Sequence, residues 1–524
     1  MRRRRLTATL AAAGSAALLL PACGPSPWEA TLVTTNAAGT DAANSASNDP
    51  VLSPDGTKLA FVSAASDLGA TDTNGLQDVY VRDLATGTTT LVSVNADGTD
   101  AGDNMSISPL FSADSSKIGF TSAATDLVAG SDLDGTNFDA FVRDLATGTT
   151  TQVSVETGAD TTTGSATFST FGRADGSLVS FNSTDNDHVP NDPFRPDDNL
   201  DVFVRDLSAG TTTLVSVNAA GTAAGNRTSD GGTLSPDGTK VVFDSYADNL
   251  VGGDTNGPWT EDAFVRDLVT GTTTLVSVTA GGTSGNGQSG DPQFSPDGRL
   301  VAFASTATDL AAVSDTNGTW DAFVRNLATG TTRAVSTNAA GTATGSAEAF
   351  PGSFAPDGRS ILFGGNGAGY GPIDTNGVAD VYLKSLDTGA VTLVSDNADG
   401  TDSGNRSSLN ASISSSGSVV FVSLADNLGP TDTRLCLRPP PRPGSPPTQG
   451  PCSDVYVRDA AGGTTLVSAR DDRNDSAAGD SSEPVISADG RVVYFTTNAA
   501  DLGSSDSNQT QDVYRATLTE PAGG

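Results

Sequence analysis

Ser53-Pro54-Asp55-Gly56-Thr57-Lys58-Leu59-Ala60-Phe61-Val62, then Asp78-Val79-Tyr80-Val81-Arg82-Asp83, then Thr89-Thr90-Leu91-Val92-Ser93 make up one unit of a pattern that fills this chain. The Ser-Pro-Asp-Gly turn returns at Ser235–Gly238 and Ser295–Gly298. Looser forms stand at Ala355–Gly358, Ser487–Gly490, Ser112–Ser115, Arg173–Gly176 and Ser414–Gly417. Each turn leads into a short apolar run ending in Phe61, Phe120, Phe181, Phe243, Phe303, Phe363, Phe421 or Phe495. Eight copies recur roughly 60 residues apart, except where the seventh carries an insertion.

Each copy reads as four short strands separated by Gly, Asp, Asn and Thr turns. No helical periodicity follows the first 23 residues. The pattern predicts an all-β, eight-bladed β-propeller of four-stranded antiparallel blades, an architecture that leaves only short sheet edges. The last copy stops after its third strand, and an orphan strand, Thr31–Thr35, precedes the first turn. The N-terminal strand is therefore expected to complete the last blade and lock the ring. Four segments result: a signal peptide over 1–22, a linker over 23–30, a propeller over 31–519 and a tail over 520–524.

Ser-Pro-Asp-Gly, an apolar run to Phe and then Asp-Val-Tyr-Val-Arg-Asp-Leu together resemble the TolB-type, WD-like β-propeller repeat. The resemblance covers nearly the whole chain after the signal and implies the propeller fold. It implies a setting in the cell envelope and a role in binding proteins. The TolB type has six blades and an extra N-terminal domain that this pattern lacks, so its particular role does not transfer.

Arg2 to Arg5 followed by an apolar, alanine-rich stretch reads as an export signal, too short for a membrane span. Leu20-Pro21-Ala22-Cys23 resembles a bacterial lipoprotein processing site, which implies lipidation at Cys23 and membrane contact through that anchor alone. Of three cysteines, Cys436 and Cys452 then remain, flanking one proline-rich loop in a disulfide-permitting compartment, and a bridge is expected. The balance of 62 acidic to 28 basic residues argues against nucleic acid as partner. With His188 as the single histidine, multi-histidine metal sites and histidine triads are excluded.

The connection between second and third strands carries the chemistry-bearing residues. It holds Asp72, Asn74 and Asp78 in the first blade, and Asp132, Asp134 and Asp139 in the second. Later copies have Asp254, Asn256 and Asp262; Asp315, Asn317 and Asp321; and Asp374, Asn376 and Asp380. Carboxylates and amides at alternate positions before a glycine suit calcium, which takes six to eight oxygens. The pattern is similar to the calcium loops of integrin FG-GAP blades, shortened by its first acidic ligand. The same residues also initiate Asx turns, and each loop has few oxygens for a cation.

An arginine recurs in the third strand (Arg82, Arg143, Arg205, Arg266, Arg325, Arg458, Arg515; Lys384 in the sixth copy), expected to pair with a nearby carboxylate such as that of Ser-Pro-Asp-Gly. Phe138, Trp259 and Trp320 occupy matching loops, where aromatics anchor partners or stack sugars. His188 lies in an enlarged loop of the third copy. Arg438 and Arg442 lie in the proline-rich insertion of the seventh, a basic element on an acidic chain. These six form the expected binding rim. No Gly-x-Ser-x-Gly nucleophile motif is present, and no residue stands out as catalytic. The expected function is protein binding or scaffolding by a monomer at the envelope. The alternative is a carbohydrate-binding or carbohydrate-active propeller.

Overall fold

The computed structural model describes residues 26–519 apart from 131–136, 157–163, 191, 193–199, 368, 371–373, 430–434, 439–447, 471–474 and 503–505. Eight four-stranded antiparallel sheets are arranged as blades. In blade 1 the strands Ser47–Leu52, Lys58–Ser63, Asp78–Asp83 and Thr89–Leu91 lie in chain order across the sheet. First strands of successive blades touch one another, so they line the axis, and fourth strands form the outer edge. No helix is present among the described residues.

The eighth blade joins Ser481–Ile486, Val492–Thr497 and Asp512–Leu518 to an N-terminal strand, as expected, but that strand is Trp28–Leu32 rather than Thr31–Thr35. The cause is Trp28. Its indole is 2% exposed, packs among Val457 and Val467 of blade 7, and donates Nε1–H to Thr465 at 3.0 Å. The propeller thus begins at Trp28, inside the segment 23–30 expected to be a linker. Cys23 and the residues expected to form the export signal lie outside the described residues.

Every blade is built around the same pair of rings. The phenylalanine of the second strand is at most 1% exposed in all eight blades and stacks on an aromatic of the third strand. Phe61 on Tyr80 and Phe120 on Phe141 are examples, with centroids 5.8 and 5.7 Å apart. Such pairs add about 1 kcal/mol to their burial. The Ser-Pro-Asp-Gly turn is held by its own side chains: Ser53 donates to Asp55 at 2.7 Å, and the Thr57 amide donates to the same carboxylate at 3.0 Å. Gly56 takes φ +69°, which explains the residue type at that point.

That local use of Asp55 overturns the expected ion pairs. Arg82, Arg143, Arg205, Arg266 and Arg325 each donate to a threonine of the fourth strand, at 2.8–3.0 Å. Among the described residues, only Arg458 of this series bonds a carboxylate, that of Asp396. Arg515 sits opposite Thr31, the register of Val81 opposite Thr90, and so occupies the other face of its strand.

Candidate binding rim

Each third strand opens with a buried aspartate. Asp78 accepts a hydrogen bond from the Ser93 hydroxyl at 2.6 Å, while Ser93 accepts the Val79 amide at 3.0 Å. The same clamp joins Ser154 to Asp139, Ser216 to Asp201, Ser277 to Asp262, Ser336 to Asp321, Ser395 to Asp380 and Ser468 to Asp454. Burial raises the carboxyls of Asp78, Asp262, Asp321, Asp380 and Asp512 to about 7.

The loop asparagines finish the clamp. Asn74 donates its amide to Asp78 at 2.7 Å and to the Gly102 carbonyl, in the link to the next blade, at 2.7 Å; its oxygen accepts the Leu76 amide. Asn256, Asn317 and Asn376 bridge to Asp262, Asp321 and Asp380 in the same way. Blade 8 repeats the device with Asn508 and Asp512, a copy not among the expected sites. With amide N–H groups turned on the carboxylates, these loops act as interblade clips. A few buried oxygens remain without a hydrogen bond, among them Asp72 Oδ1, Asp254 Oδ1 and both oxygens of Asp315. Among the described residues, no group of three carboxylate, cysteine or histidine side chains is placed to hold a metal ion. Asp132 and Asp134 lie outside the described residues, and Asp139 is buried beside Ser154.

The residue just before each clamp aspartate is the informative one. Its carbonyl accepts the amide of the first residue of the next blade's inner strand, at 2.6–2.8 Å, all the way round: Gln77 to Ser106, Phe138 to Ala166, Leu200 to Ser229, Glu261 to Ser289, Trp320 to Ala349, Ala379 to Ser408, Ser453 to Ser481 and Gln511 to Ser47. The backbone frame is constant while the side chains are not, and all eight are at least partly exposed.

Bulky aromatics collect at and beside this ring on blades 4 to 6. Trp259 is 62% exposed, adopts φ +78°, and lies under the Arg227 guanidinium 3.4 Å from its centroid. Trp320 lies 6.1 Å from Phe350, itself 41% exposed. Beside them are Asp230, Asp244, Glu261 and Asp291. The Asp291 amide donates to Asp244 at 3.2 Å, and Asn182 donates to Asp230 at 2.7 Å. Burial, reinforced by Glu261 and Asp230, raises the Asp244 carboxyl to about 8. None of these four acids was singled out from the sequence. The available signal was Asp244, a charge at a second-strand position where other blades carry residues such as Val62, Thr121 and Ala304.

The remaining expected rim residues divide. Phe138 and Trp320 belong to the ring. His188 does not reach it: at 1% exposure it lies edge-on to Phe181 and Phe203, with Nε2 2.9 Å from Ser183 Oγ and Nδ1 3.2 Å from the Val155 carbonyl. The imidazole is thus an apolar-flanked plug of the blade with both nitrogens engaged. Cys436 and Cys452 are bridged across a small hairpin, Leu435–Arg438 with Thr448–Pro451. Arg438 ends its first strand, and Arg442 lies outside the described residues.

No family model and no curated protein matches this chain. Similar solved structures include TolB from Acinetobacter baumannii, at 19% identity, covering 54% of this chain and 52% of that one, with a TM-score of 0.28. Dipeptidyl peptidase 4 from Porphyromonas gingivalis is 12% identical, with 87% and 56% covered and a TM-score of 0.52. Oligogalacturonate lyase from Vibrio parahaemolyticus is 13% identical, with 94% of each chain covered and a TM-score of 0.44. The chain spans about half the length of the first two. At these identities the likeness concerns the fold. By that fold the chain is an eight-bladed β-propeller.

Proposed function

We propose that this propeller is a protein-binding module exported to the cell envelope, and that the ring of residues before the clamp aspartates is its working face. The observation that supports the reading is the pairing of a constant backbone with variable, partly exposed side chains, Trp320 among them, flanked by the exposed aromatics Trp259 and Phe350. Rigid aromatics on a preorganised frame are efficient anchors. The acidic neighbours Asp230, Glu261 and Asp291 favour a segment that brings lysine or arginine next to an apolar side chain. The export signature and the TolB-type repeat support the envelope setting.

Selection from a random peptide library on the immobilised chain tests this. Enriched peptides should combine a cation with an aromatic or aliphatic residue. Trp320→Ala and Glu261→Gln should each weaken their binding about tenfold, whereas Arg299→Ala, on the turn of blade 5, should not. Random enrichment, or binding indifferent to the rim variants, would refute the reading.

A carbohydrate-directed role is the second reading, and one observation favours it: the Asp244 carboxyl, protonated near neutrality beside Glu261, is the state a general acid requires. Turnover of a glycan by the native chain that disappears in Asp244→Asn would support it.

A further inference from the structure

Between blades 5 and 6, at the outer edge of the ring, lies a recess of about 460 Å³. Equivalent niches occur between blades 1 and 2 and between blades 3 and 4, at about 280 and 380 Å³, lined by Arg143 and Arg266 respectively. In those niches the arginine donates to a fourth-strand threonine, Thr150 or Thr273.

At the blade 5/6 recess the repeat changes at four positions. Lys384 replaces the arginine, and Val391 stands opposite it where other blades have the threonine. Arg333 occupies a fourth-strand position that is Thr90, Thr151, Thr213 or Thr274 in blades 1 to 4. Tyr370 takes the place of the leucine (Leu127, Leu250) that walls the other niches, and its ring turns inward onto Phe363 and Tyr382.

These changes together bring two cations to one wall. Lys384 is 6% exposed, and its ammonium donates to Thr337 Oγ1 at 2.7 Å. Arg333 donates Nη1–H to the Leu386 carbonyl at 3.2 Å. Neither has a carboxylate partner among the described residues, and no aspartate or glutamate lines the recess, in a chain with 62 acids and 28 bases. Burial, with Arg333 adding repulsion, depresses the Lys384 ammonium. A buried, unneutralised cation beside a second one is costly unless an anion joins them. Ala311, Ala312, Val313, Ala339 and Ala340 supply an apolar wall opposite.

We propose that this recess binds a small molecule bearing a carboxylate or phosphate, its oxyanion held between Lys384 and Arg333 and its body against the alanine-rich wall. The site is separate from the binding rim, and its fate is independent of that reading.

The test titrates the purified full chain with inorganic phosphate and with D-glucuronate, at ionic strength held constant with sodium chloride, reading the thermal midpoint. At least one probe should give a saturable rise with half-saturation near or below about 1 mM, as linkage requires for a ligand of the native state. A response to phosphate alone or to glucuronate alone names the oxyanion. Arg333→Thr, which installs the residue of the neighbouring blades, and Lys384→Arg with Val391→Thr, which restores their pairing, should each weaken binding at least tenfold. Their midpoints in chloride should be preserved, because both return to the repeat. No rise with either probe beyond the chloride control, or a rise undiminished both in Arg333→Thr and in Lys384→Arg with Val391→Thr, would overturn the proposal.

Discussion

The Thr34 hydroxyl donates to Asp512 Oδ1 at 2.7 Å, across 478 residues of chain. It also accepts the Val513 amide at 3.1 Å. Seven blades make the same clamp with a serine about fifteen residues from its aspartate; in the eighth, the partner comes from the other end of the protein. A local hairpin device has thus become the latch of the ring.

Thr34→Val retains the shape of the side chain and leaves Asp512 Oδ1 and the Val513 amide without their partner. The expected cost is about 2 kcal/mol, read from the urea midpoint. Unfolding should also accelerate, since opening at the latch exposes the blade 8 and blade 1 interfaces together. Equal unfolding rates for native chain and variant would count against the latch.

The pH dependence follows from the clamp. Five carboxyls sit at about 7 in the folded chain and Asp244 at about 8, against 3.8 when unfolded. Between these values the folded state holds more protons, so the contribution is complete below about pH 4 and is lost as pH rises through 7 to 8. Turn aspartates work the other way. Although burial resists it, hydrogen bonds from Ser53 and Thr57 take Asp55 down to about 2, and that stability is lost as pH falls from 3.8 towards 2. Calorimetry should find the highest midpoint near pH 4 to 5, on the order of 5 °C above that at pH 8. A midpoint that rises from pH 5 to pH 8 would contradict this account.

Gly119 is a packing requirement. A Cβ there would stand 2.1 Å from the ring of Phe168, in the next blade. Gly119→Ala should destabilise the chain by about 2 kcal/mol, and adding Phe168→Leu should recover part of that loss. Chemical denaturation of the single and double variants measures both.

Replacing Cys436 and Cys452 with serine should act locally. The bridge closes a hairpin inserted between the second and third strands of blade 7, sixteen residues apart in sequence. In the loop-closure model it contributes at most about 3 kcal/mol, or roughly 3 °C for a chain of this size. Limited proteolysis should show new cleavage between 434 and 452 while the blades stay resistant.

Calcium should have little effect. The carboxylate oxygens of Asp78 and its counterparts Asp262, Asp321 and Asp380 are engaged in hydrogen bonds, and among the described residues each loop retains at most two buried carboxylate or amide oxygens without one, where calcium takes six to eight. Calcium and then chelator should move the midpoint by less than about 1 °C, whereas a rise that grows with free calcium would restore those loops as ion sites.

Repetition alone made the propeller, its eight blades and its N-terminal closure legible, because a blade cannot bury both faces without a neighbour on each side. The Phe61–Tyr80 stack and the Ser53–Asp55 turn are short-range devices and were readable as motif positions. The strand start at Trp28 was not, since its reason is a contact with Thr465 more than four hundred residues away. The interior position of His188 was equally hidden, because a polar loop gives no sign that its imidazole will cap Phe181. The groupings at Asp244, Glu261 and Asp291, and at Lys384 and Arg333, arise where residues from successive blades meet. Spacing along the chain carries the period of the ring, but which side chains face one another across a blade boundary depends on twist, register and inter-sheet packing, and those exist only in the folded protein.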